Sequence, residues 1–143
     1  MSDLAIQGLT VMRSGRAVLQ DAAILRGARR TVLWGPSGAG KSTLLAAIAG
    51  LVEPTSGFIR IGEATLFSSS DRVSAAPHLR RIGFVFQDLA LWPHLRALDQ
   101  VRLVAAAAGE NEGDARTKAI ESLSAVGLGG LRRRGPAPLS GGE

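Results

Sequence analysis

Along residues 4–25, short apolar runs alternate with polar positions. LAIQGLTV (4–11) and AVLQDAAIL (17–25, less regular) read as strands, and RSGR between them as the turn that joins them. RRTVLWG (29–35) is a run of β-branched and large apolar residues that stops at a glycine, which predicts a short buried strand. The glycine-rich GPSGAG then leads into KSTLLAAIAG, a predicted helix with Leu44, Leu45, Ile48 and Ala49 inward and Gly50 as its stop. EPTSG (53–57) has turn chemistry, FIRIG (58–62) reads as a strand, SSSDRVSAAP (68–77) as a polar loop and IGFVFQ (82–87) as another buried strand.

After Gln87 the period changes. ALDQVRLVAAAA (97–108) places Leu98, Val101 and Val104 or Ala105 on one helical face, and GENEG interrupts it. Asn111 can cap a second helix that has Asp114 at its third position and an apolar face of Ile120, Leu123 and Val126. Asp114 and Lys118 are an i,i+4 pair, and Gly127 closes the helix. There is no internal repeat. The pattern predicts an α/β core with an antiparallel β part at the N-terminus, followed by a helical insertion.

Composition narrows this picture. A chain of 143 residues with 45% hydrophobic content fits one folded domain, with the α/β core and β part in residues 1–89 and the helical part in 90–143. There is no cysteine, which excludes disulfides and thiolate metal sites and suits a reducing cytoplasm. MSDLAIQGLT lacks the basic start of a signal peptide, and the longest apolar run, LVAAAAG (103–109), is too short to span a bilayer. The net charge is +5, carried almost wholly by arginine, since Lys41 and Lys118 are the only lysines. The groups Arg29-Arg30, Arg80-Arg81 and Arg132-Arg133-Arg134 have no interleaved aromatics. They read as solvated surface rather than as a nucleic-acid platform, with Arg132 to Arg134 open to a place near a membrane face.

GPSGAGKST fits G-x-x-x-x-G-K-[ST] over residues 35–42. A triphosphate needs backbone N–H groups aimed at it from close range. Gly35, Gly38 and Gly40 let the chain curl without a Cβ in the way, with Pro36, Ser37 and Ala39 completing the loop. The helix N-terminus adds its dipole. Lys41 would reach the β- and γ-phosphates, the Ser42 hydroxyl would ligate Mg²⁺, and Thr43 would lie toward the α-phosphate. The motif does not by itself separate kinases, GTPases, recombinases and transporter ATPases.

GPSGAGKSTLL, IGFVFQDLALWPHLRALDQV and the final LSGGE, in this order, resemble the ATP-binding subunit of an ABC transporter over essentially the whole chain. The resemblance implies a P-loop NTPase (RecA-like) core, with ATP and Mg²⁺ as cofactors and a place at the cytoplasmic face of a membrane. It implies that Gln87 is the Q-loop glutamine, touching Mg²⁺ and the attacking water. Residues 88–95 would face a transmembrane permease subunit, with Trp92-Pro93-His94 as the contact ridge. Ser140, Gly141 and Gly142 would be the signature loop, which closes over the γ-phosphate held by a second subunit in a head-to-tail dimer. The family's later Asp-Glu pair and histidine have no counterpart in these 143 residues, which implies that the chain alone turns over no ATP. Met12 and Arg13 stand where an aromatic usually stacks on adenine, Trp34 where a smaller aliphatic is common, Glu143 where Gln is usual, and LRALDQV where LTVLENV is typical. The stretch is most like importers of small ions or polar solutes. Rival readings are a soluble ABC-type ATPase working on nucleic acid or ribosomes, a P-loop small-molecule kinase using Asp88 as its acid, and a nucleotide-binding module without catalysis.

Overall fold

The structure, a computed structural model, describes residues 3–25, 30–88 and 90–136. The chain forms two compact units, Met1–Phe84 and Val85–Glu143.

The first unit is built on a five-stranded antiparallel sheet. Its strands are β1 (Leu4–Arg13), β2 (Arg16–Leu25), β3 (Ser56–Ile61), β4 (Ala64–Ser68) and β5 (Val73–Ser74), in the order β2-β1-β3-β4-β5. Ser14 and Gly15 join β1 to β2 with φ of 48° and 75°, so both central residues of the two-residue hairpin are left-handed, which matches the twist of the flanking strands. In β1 a register irregularity around Gly8 lets Ile6 and Leu9 both face inward although three positions separate them. The same place needs a glycine on the neighbouring strand, because a Cβ at Gly57 would lie 2.6 Å from the Gly8 carbonyl oxygen. Helix α1 (Lys41–Ala49) packs onto this sheet. The core is Ile6, Leu9, Val11, Leu44, Ala47, Ile59, Leu66 and Phe67, each large aliphatic stabilising by about 1.5–3 kcal/mol.

Three expectations change here. Ala47 is buried in α1, while Leu45 faces out. Strand β4 falls mostly in residues that carried no assignment, and β5 in what read as polar loop. Most informative, neither 30–36 nor 81–86 joins a ladder. Both alternate in burial: Leu33 and Ile82 pack against the core, while Val32, Trp34 and Val85 are 85%, 96% and 90% exposed. A buried central strand is defined by neighbours on both sides. Among the described residues the sheet runs from β2 to β5 without either segment.

The second unit is a helical hairpin of α2 (Ala97–Ala107) and α3 (Glu112–Ala125), followed by a 3-10 turn at Gly129–Leu131. Asn111 caps α3 as expected, its Oδ1 accepting the Asp114 N–H at 3.0 Å. Ala115, Ala119 and Leu123, spaced by four, form the buried stripe of α3. Val126 lies past the last turn and is exposed, and Lys118 bonds to Glu110 rather than to Asp114. That bond holds the exposed Lys118 ammonium above its ordinary pKa.

Candidate functional site

The nine residues 35–43 form one continuous feature, the loop and first turn of α1. Gly38 and Gly40 take φ of 83° and 82°. Gly40 is buried against the outer edge of β2: a Cβ there would lie 2.7 Å from the Val18 carbonyl oxygen. A side chain would therefore push the loop off the sheet. The Lys41 ammonium turns back into the loop, donating to the carbonyl oxygens of Gly35 (2.8 Å) and Pro36 (2.7 Å). Ala39 N–H bonds to Pro36 O at 3.3 Å, and the helical ladder opens with Leu44 N–H to Gly40 O at 2.8 Å.

The N-terminus of α1 carries no side-chain cap and no acidic residue in its first turn. Helix geometry leaves the N–H groups of Lys41, Ser42 and Thr43 without an intrahelical acceptor. Among the described residues no carboxylate pairs with Lys41. Partial positive charge from the helix and a full charge from Lys41 thus converge where carbonyls are the only counterweight, and a polyanion fits that charge set. Ser37, Gly38, Ala39 and Ser42 are exposed, and Thr43 is half-buried.

The other end of α1 is pinned by a residue expected at the surface. Arg80 is 6% exposed. Its guanidinium donates to the carbonyls of Ala47 (2.8 Å), Ile48 (2.9 Å) and Ala75 (2.8 Å). Burial lowers its pKa from the ordinary arginine value, and Glu53 opposes that shift. Gly50, at φ 81°, leaves the room: a Cβ would meet Arg80 Nε at 2.6 Å. Composition gave no sign of this, because the partners lie 33 and 32 positions away.

The remaining candidates are placed as follows. Met12 is half-exposed, with its N–H on Thr55 Oγ1 at 3.2 Å, and Arg13 pairs in register with Arg16 at the hairpin end. Gln87 and Asp88 lie in an exposed turn of the second unit. Leu91, Trp92, Pro93 and His94 are exposed. Ser140, Gly141 and Gly142 lie outside the described residues. Among the described residues no cluster of His, Asp and Glu is arranged to hold a metal, and no helix is long and apolar enough to cross a membrane.

A sequence model of the ABC transporter family matches residues 21–143. The chain is 43% identical over 111 residues to the Fe(3+) ions import ATP-binding protein FbpC of Brucella abortus (strain 2308), covering 78% of this chain and 30% of that protein. It is 43% identical over 117 residues to the molybdenum import ATP-binding protein ModC of Granulibacter bethesdensis, covering 79% and 30%. To the sulfate/thiosulfate import ATP-binding protein CysA 2 of Rhizobium meliloti it is 40% identical over 130 residues, covering 87% and 34%. The chain thus spans 30–34% of the length of these relatives. Among solved structures it is similar to the dimeric, post-hydrolysis state of the ATP-binding cassette MJ0796 bound to ADP and Pi. The TM-score is 0.73 at 27% identity, over 96% of this chain and 63% of that one.

Proposed function

Because this chain belongs to the ABC transporter family, we propose that it forms the phosphate-binding portion of an ATP-binding subunit that powers import of a small ion or polar solute. The observation that carries the reading is the Lys41 ammonium, held only by loop carbonyls at an uncapped helix N-terminus. Residues 35–40 supply the N–H cradle for the ATP phosphates, Lys41 the charge for the β- and γ-phosphates, and Thr43 a hydroxyl toward the α-phosphate. Mg²⁺, held by Ser42 and Gln87, would supply charge neutralisation at the phosphates. Ser140, Gly141 and Gly142 serve a second subunit's nucleotide, which makes the working form a dimer. Residues 88–95 face a transmembrane permease subunit, and this places the protein on the cytoplasmic side of a membrane. Being 40–43% identical to three import subunits that act on different ions supports an importer and leaves the solute open.

Titration with MgATP tests the site. Lys41→Ala removes the one full charge at the loop and is expected to weaken binding about 100-fold. Affinity retained in that variant would overturn the assignment.

A further inference from the structure

Three polar or charged side chains are buried among the described residues: Ser68, Arg80 and Gln100. Ser68 bonds within its own turn to Asp71, and Arg80 pins α1. Gln100 does something different. From the first turn of α2 its Oε1 accepts the Trp92 N–H at 3.1 Å, and its Nε2 donates to the Leu95 carbonyl at 3.3 Å. Leu95 N–H closes the same turn onto Trp92 O at 3.1 Å. Both ends of the 92–95 turn are therefore tied to one side chain. Leu91 and Trp92 at this turn are 45% and 44% exposed.

The same helical turn is bonded on a second front. Arg96, the N-cap of α2, contributes no side-chain cap. The N–H groups of Ala97 and Leu98 are instead accepted by the backbone carbonyls of Arg134 (2.9 Å) and Arg132 (3.0 Å). Residues 132–134 run on in sequence toward Ser140.

We propose that Gln100 is a positioning residue that makes the 92–95 turn and the 132–134 segment one rigid piece through the first turn of α2. A partner pressing on Trp92 then displaces the segment that leads to Ser140. The functional side of this rests on the reading of 88–95 as the contact with a transmembrane subunit. A glutamine is required because the clamp needs an acceptor for Trp92 and a donor for Leu95 in one side chain. Glutamate keeps only the acceptor and leucine neither.

Hydrogen exchange at single-residue resolution on the full-length protein tests this. In Gln100→Leu the Trp92 amide should exchange about tenfold faster, and those of Ala97 and Leu98 should follow, while Ala119 and Leu123 in α3 stay unchanged. In Gln100→Glu, Trp92 should stay protected. Unchanged exchange at Trp92 in Gln100→Leu overturns the clamp. So does acceleration spread evenly into α3, or acceleration at Trp92 without Ala97 and Leu98. Co-purification of Trp92→Ala with the membrane subunits is a separate measurement. If association survives there while the exchange pattern is as expected, the clamp stands and the docking reading fails.

Discussion

Arg80 shows how one side chain can tie α1 to a distant stretch of chain. A helix ends with carbonyls that lack intrahelical donors. The Arg80 guanidinium satisfies two of them at the end of α1 and a third at Ala75. Arg80→Ala removes three charge-assisted bonds, leaving Ala47 O only the Gly50 N–H at 3.2 Å, and is expected to cost about 2–4 kcal/mol. Gly50→Ala is expected to cost about 2–3 kcal/mol, because the new Cβ adds left-handed strain to a clash with the guanidinium. In the Arg80→Ala background the clash disappears and only the strain of about 1 kcal/mol remains. Urea unfolding of the four proteins measures this cycle. Strict additivity would show that the two residues do not share the space assigned to them.

The elements divide by the range of the interactions that make them. The β1–β2 hairpin, the glycine loop, α1 and the Asn111 cap were legible in the sequence because each is decided within a few residues. Asn111 illustrates this: its side chain accepts from Asp114, three positions on, at 3.0 Å. Asn111→Ala is expected to destabilise α3 by about 1 kcal/mol, read as a lower midpoint in thermal or urea unfolding with far-UV circular dichroism. An unchanged midpoint would mean that the pairs of Glu112 with Arg102 and Glu110 with Lys118 hold the helix start without the cap. What was not legible carries no distinct local pattern or finds its partners far away in sequence. The β4 ladder to β3 follows a tight turn at Gly62-Glu63, Arg80 finds its acceptors in α1, and Gln100 points inward on a helix whose visible stripe is aliphatic. The runs 29–35 and 82–87 read as buried strands, yet among the described residues 30–35 and 82–87 form no ladder, since apolarity announces burial without naming the neighbour that supplies it. The roles of Gln87, Ser140, Gly141 and Gly142 rest on resemblance, and the last three lie outside the described residues.

At the scale of the whole molecule, each unit leaves large apolar side chains open to water: Val32 and Trp34 in the first, Val85 in the second. Side chains of this size exposed at 85–96% mark surface that another part of an assembly covers. The chain spans 30–34% of the length of its import relatives. Two consequences can be measured on the 143-residue chain alone. It should bind a hydrophobic dye strongly and melt over a broad range, because an open sheet with exposed strand edges forgoes cooperative packing. We also expect it to hydrolyse no ATP above background, because the family resemblance implies an Asp-Glu pair and a histidine that have no counterpart in these 143 residues. A sharp melt of the short chain without dye binding would show that Val32, Trp34 and Val85 are covered from within it. Mg²⁺-dependent turnover by the short chain would place the catalytic acid among residues already present, with Asp88 the first to substitute.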